Sequence, residues 1–173
     1  MERRGFTLVE LLVVLAVASI LLAIAVPGYA FLVGASRLAA VTNDLVAAVH
    51  LARSEAIKRG ARVTVCKSSS TMAVQPSCDG TASWQEGWLV FVDEGARGVI
   101  DSGDTLLWSK DRATEAATIT ASNFTLFVSY LPSGVSQGPN GLANGTLHVC
   151  VDGNRRDIII NSTGRPRLSP NTC

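Results

Sequence analysis

The chain has 173 residues and a mass of 18.2 kDa, enough for one domain and a further segment, which excludes a large multidomain enzyme. Charged residues make up only 17% against a usual share of about 25%, apolar residues make up 47%, and much of that apolar excess sits in the first 33 residues. A formal net charge of +1 excludes a polycation or an acidic tail, so any attraction to a polyanion has to come from a local patch. The chain opens with Met-Glu-Arg-Arg-Gly, a short basic leader, followed by an apolar run of 21 residues, Phe6 to Val26, broken only by Thr7, Glu10 and Ser19. About 20 helical residues cover a hydrocarbon core of roughly 30 Å, so the run predicts a membrane-spanning helix. Arg3 and Arg4 predict that the leader stays in the cytoplasm. The length of the run and the carboxylate inside it count against a secretory signal peptide.

A carboxylate in a membrane span costs about 2.5 to 3.5 kcal/mol, so Glu10 calls for a partner. Cleavage after Gly5 would supply one, by freeing a cationic amine on Phe6 four residues away. Gly-Phe-Thr-Leu-Val-Glu-Leu-Leu at residues 5 to 12 resembles the processing site of type IV pilins and type II secretion pseudopilins. The resemblance implies that a prepilin peptidase cuts between Gly5 and Phe6, that Phe6 is then methylated, and that Glu10 serves subunit assembly. It also implies residence in the inner membrane with the head in the periplasm, then assembly with other major and minor pilins into an extracellular fibre.

Pro27, with Gly28 beside it, predicts a break in the helix. The helical pattern then resumes, because Leu38, Val41, Leu45, Val49, Ala52 and Ala56 recur at three- and four-residue spacings along one face. Gly60 is a natural C-cap, with Lys58 and Arg59 in the last turn. From Arg62 the period changes to two, in runs at 63–66, 88–92, 105–108, 118–121, 124–130, 147–151 and 157–161 separated by Gly, Asn, Asp and Pro, which predicts antiparallel strands. The expected organisation is a leader (1–5), a membrane or filament-core helix (6–33), an amphipathic helix on the head (34–60) and a β-rich head (61–173).

His50-Leu-Ala-Arg-Ser-Glu-Ala-Ile-Lys-Arg-Gly60, Val63-Thr-Val-Cys66, Trp84, Gly87-Trp-Leu-Val-Phe-Val-Asp93 and Asp101-Ser-Gly-Asp104 resemble, in order and spacing, the GspH and FimT group of minor pilins and pseudopilins. The resemblance implies an α+β fold, a long N-terminal helix carrying a head of two antiparallel sheets.

Neither His50 nor His148 has a nearby nucleophile or metal-ligand spacing in the sequence, so no catalytic residue, metal site or cofactor is expected, and the chain does not read as an enzyme. The four cysteines lack the paired short spacing of a zinc site. They read as disulfides of an exported protein. Of three possible connectivities, Cys66–Cys78 and Cys150–Cys173 close the shortest loops, each contributing about 3 kcal/mol in the chain-entropy model. Asp93, Glu94, Asp101 and Asp104 do not match the EF-hand spacing and read as a solvated hairpin connection rather than a calcium loop. Residues 79 to 115 carry eight acidic and three basic residues, which gives the head an acidic side.

Residues 150 to 173 hold Arg155, Arg156, Arg165 and Arg167 against Asp152 and Asp157. Within Asn161-Ser-Thr-Gly-Arg-Pro-Arg167, Gly164 permits a tight turn and Pro166 fixes the backbone between two guanidinium groups, which bind phosphate through paired donors. A Cys150–Cys173 bridge would anchor this cationic finger at both ends. Gly164-Arg165-Pro-Arg167 matches the Gly-Arg-x-Arg motif associated with DNA uptake in FimT-like minor pilins. That resemblance implies non-sequence-specific binding of double-stranded DNA by Arg165 and Arg167, with Arg155 and Arg156 added for their charge. Two other roles remain open: priming pilus assembly, or acting as a type II secretion pseudopilin whose head touches only protein.

Overall fold

The computed structural model describes residues 7–173, so Gly5 and Phe6, with the leader, lie outside the described residues. Thr7 caps the first helix by accepting the Glu10 backbone N–H at 3.3 Å. The helix, α1, runs from Leu8 to Arg59 and ends at Gly60, whose φ of 64° closes it in the left-handed conformation. The break expected at Pro27 is absent: α1 is continuous through it. A proline withdraws a single N–H, and the hydrogen bonds on either side keep the helix together. α1 is long and apolar enough to cross a membrane, and its large apolar side chains from Leu8 to Leu32 are exposed. Burial begins at Gly34 and then follows Leu38, Val41, Thr42, Leu45, Ala48, Val49, Ala52 and Ala56, the face that packs on the head.

The head consists of two antiparallel sheets. The first has the order β3-β2-β1-β5-β6, from β1 (Val63–Lys67), β2 (Gly87–Val92), β3 (Thr105–Asp111), β5 (Phe127–Tyr130) and β6 (Ser136–Gln137). The second has the order β4-β7-β8-β9, from β4 (Ala117–Ser122), β7 (Gly145–Val151), β8 (Asn154–Ile160) and β9 (Pro166–Thr172). One core joins α1 to the inner faces of both sheets, with Leu45, Trp88, Tyr130, Leu147 and Ile158 fully buried. Each such side chain contributes about 1.5 to 3 kcal/mol. A smaller cluster of Cys66, Leu89, Phe91 and Phe127 lies on the other face of the first sheet, where the Cys66–Cys78 disulfide closes a loop.

Three strands depart from the sequence expectation, and one of them, the short β6, falls in none of the expected runs. Phe124 enters the core instead of starting a strand, and the Trp84 indole N–H donates to its carbonyl at 3.1 Å. The segment expected as an anchored cationic finger after Asn161 becomes β9, despite Pro166 and Pro170. It is an edge strand, and there a proline without an N–H leaves no ladder bond unmade on the solvent side.

Candidate polyanion-binding site

β8 and β9 form a hairpin whose turn, Asn161 to Arg165, is built around one side chain. Asn161 Oδ1 accepts from the Thr163 N–H (3.2 Å), the Thr163 hydroxyl (2.8 Å) and the Arg165 N–H (2.9 Å), while the Gly164 N–H donates to the Asn161 carbonyl at 2.9 Å. Asparagine satisfies turn backbone groups in this way because its short amide reaches two to four residues on. Gly164 has φ of 75° and is buried. A Cβ there would stand 2.1 Å from the Gly134 carbonyl oxygen and 3.0 Å from the Tyr130 ring. The turn therefore rests on the β5–β6 loop, and the Arg53 Nε of α1 donates to the same Gly134 carbonyl at 3.0 Å. Tyr130 is fully buried beneath, its hydroxyl has no hydrogen-bond partner among the described residues, and burial pushes the phenol above its usual range.

On this clamped turn Arg165 and Arg167 are exposed, and neither joins any ion pair among the described residues. They are two residues apart, about 7 Å along the strand. Two unneutralised guanidinium groups on a preordered turn can take phosphate or carboxylate oxygens as paired acceptors.

Arg155 and Arg156 do not belong to this tip. The register sets Arg155 opposite Asn171 and Arg156 opposite Pro170, so Arg155 lies about 13 Å along the strands from Arg167. Arg155 is also committed: its Nη2 donates to Asp157 Oδ2 at 3.4 Å and its Nε lies 3.0 Å from Oδ1, close but not directed as a hydrogen bond. Arg156 lines a shallow cleft with Leu38 of α1, Pro170 and Asn171. The Cys150–Cys173 disulfide, with Cα atoms 6.0 Å apart, also lies at this far end of the hairpin. It does not staple the cationic turn, which Asn161 and Gly164 hold instead. Gly134 lies beside Arg53 and Ile57, whereas Asp152, in the β7–β8 turn, packs against Gly34. These helix positions are about 28 Å apart, so the arginine turn is at the end of the head away from the apolar helix.

The outer face of the second sheet carries a polar chain that spans all four strands. The Ser122 hydroxyl of β4 lies 3.2 Å from His148 Nε2 of β7, His148 Nδ1 lies 2.8 Å from Asp157 Oδ1 of β8, and the Asn171 amide of β9 donates to Asp157 Oδ2 at 3.3 Å. Burial pushes the Asp157 carboxyl up, but hydrogen bonds from His148 and Asn171 and the Arg155 charge outweigh it, and its pKa ends below the usual value. His148 thus has a hydroxyl neighbour, which its sequence context does not reveal. His50 is exposed on α1.

The acidic loop is organised by its carboxylates. Asp93 is buried, pairs with Arg62 at 2.7 Å and accepts from the Thr64 hydroxyl (2.6 Å) and the Gly98 N–H (2.9 Å). Asp93 is therefore not a solvated residue. Asp101 accepts the Ala96 N–H, and Asp104 accepts the N–H groups of Glu94 and Asp101, each at 2.8 Å. Glu10 is exposed in the first turn of α1.

Residues 41–164 match the sequence model of the type II transport protein GspH, and residues 1–26 match the prokaryotic N-terminal methylation motif. The chain belongs to the GspH family. A pilin-like protein, PilA1, from Thermus thermophilus is 31% identical over 97% of this chain and 99% of its own length. The type IV minor pilin FimU of Pseudomonas aeruginosa superimposes with a TM-score of 0.60 at 19% identity, over 80% of this chain and 93% of that one. The minor pseudopilin EpsH of the Vibrio cholerae type 2 secretion system gives 0.53 at 12% identity, over 78% and 97%. This GspH-family chain has the type IV pilin-like fold, and it is a minor pilin or pseudopilin of the type IV pilus or type II secretion class. The Asn161–Gly164 clamp is only partly legible in the sequence. Asn161 before Ser-Thr-Gly is a legible turn signal, whereas Gly134 and Arg53 approach the turn only through the tertiary fold.

Proposed function

We propose that this protein is a minor pilin of a type IV pilus that captures extracellular double-stranded DNA for natural transformation, through phosphate contacts from Arg165 and Arg167. The observation that carries this reading is the pair of exposed guanidinium groups without carboxylate partners among the described residues, on a turn fixed by Asn161 and Gly164. A fixed turn lowers the ordering cost of presenting both groups. Binding of this kind is tolerant of sequence and weakens by about 0.9 log units per phosphate contact for each tenfold rise in salt. Prepilin peptidase removes residues 1–5 and Phe6 is methylated. The apolar part of α1 sits in the inner membrane and then in the fibre core with other pilins, Glu10 aiding assembly, and the head faces outward.

Titration of residues 34–173 with duplex DNA tests the reading, since the buried face of α1 starts at Gly34 and this piece keeps it whole. A double charge reversal, Arg165→Glu with Arg167→Glu, should weaken binding; parental affinity in that variant would refute the proposal. The match to a model named for a type II transport protein favours a second reading, a pseudopilin or assembly-priming subunit whose head touches only protein. Gene deletion separates the two: loss of transformation with normal pili supports the first, and loss of pili or of secreted proteins supports the second.

A further inference from the structure

We propose that Ser122 is an activated nucleophile that accepts acyl groups from small activated esters. Ser122, His148 and Asp157 come from three adjacent strands, and the register alone brings them together: Thr120 faces His148, Ser122 follows on the same face, and His148 faces Asp157. The hydroxyl-to-Nε2 distance of 3.2 Å and the Nδ1-to-carboxylate distance of 2.8 Å fall within the reach required of a nucleophile, base and orienting carboxylate. Asp157 is itself held by Arg155 and Asn171, so its acceptor oxygen is fixed and its negative charge favoured. An ionised carboxylate can only accept, so in a neutral imidazole it selects the tautomer with the proton on Nδ1, which leaves the Nε2 lone pair for the serine hydroxyl. Ser122 is the last residue of β4 and is exposed, and the strand ends at Asn123, whose φ is 66°.

In the acyl step the Ser122 Oγ–carbon bond forms as the ester carbon–oxygen bond breaks. The hydroxyl proton passes to His148 Nε2 and then to the departing oxygen. Water releases the acyl group by the reverse route, giving its proton to Nε2 as the carboxylic acid leaves and the Ser122 hydroxyl is restored. The open sheet face leaves the developing oxyanion to solvent, so the acceptor chemistry is restricted to esters with good leaving groups.

The test treats the full chain in detergent micelles with a fluorophosphonate probe and locates the adduct by peptide mass spectrometry. The probe forms the Oγ–phosphorus bond at the expense of phosphorus–fluorine, and fluoride leaves. Ser122 should be labelled in preference to the other exposed serines, and labelling should be lost in heat-unfolded protein. His148→Gln should slow it by about a hundredfold, the usual order for removing a general base. Absence of the adduct from the folded wild-type chain would overturn the proposal, whatever the variants do. So would equal rates in wild type and in a His148→Gln protein whose thermal midpoint is retained.

Discussion

The two ends of the β8–β9 hairpin carry the same kind of side chain in opposite electrical conditions. At the turn Arg165 and Arg167 face solvent with no carboxylate in reach among the described residues, whereas at the disulfide end Arg155 is matched by Asp157. A count of charges along residues 150–173 cannot separate these cases. What separates them is register, because β8 places Asp157 two residues from Arg155 on the same face and β9 brings no acid to the turn. Arginine number is therefore a poor guide to anion binding, and arginine partnership is a better one.

The sharpest way to break this contrast is at Gly164. Valine there would combine a left-handed backbone with a clash against the Gly134 carbonyl, so we expect a loss of about 3 kcal/mol in urea denaturation, together with loss of the ordered turn. Replacing Cys150 and Cys173 together by serine should cost a similar amount, about 3 kcal/mol, but leave DNA affinity of the folded protein unchanged, because the bridge lies at the other end. Arg165→Glu with Arg167→Glu should do the reverse. Stability stays within about 0.5 kcal/mol, DNA affinity falls by about a hundredfold, and the salt slope drops by about 1.8.

Arg155→Ala should leave DNA affinity as it is and lower stability by up to about 1 kcal/mol, since it removes only a partly exposed pair. Asp157→Asn sharpens the same end through pH. The folded carboxyl titrates below its unfolded value of about 3.9, so its contribution is complete above that value and disappears as pH falls through the lower, folded one. The stability gap between wild type and Asp157→Asn, measured by urea denaturation, should therefore be widest near neutrality and narrow steadily below about pH 4.

The helix and most strands were legible because their signals are local: a 3.6-residue period in Leu38 to Ala56, a period of two in Val63 to Cys66, a glycine at the αL cap. The cysteine spacing also pointed to the pairing that the structure has. The helix continuity at Pro27 was not legible, because a proline reports a missing donor and not the strength of the helix around it. β9 escaped notice because its two prolines argue against a strand unless its edge position is known. Within the candidate site, the exposure of Arg165 and Arg167 could be anticipated from a turn-rich segment. The neutralisation of Arg155, the Ser122–His148 contact and the support from Gly134 and Arg53 depend on which strands become neighbours. Register is a property of the whole sheet, and no short window contains it.

Cys173 directly follows β9, an edge strand, at a place where a hairpin under tension would begin to peel. Its bond to Cys150 closes that starting point covalently. A tug on the arginine turn draws β8 and β9 together, so it is resisted by the β7–β8 ladder and by the bond to Cys150 of β7, and through Gly134 and Arg53 it reaches the stiff rod of α1.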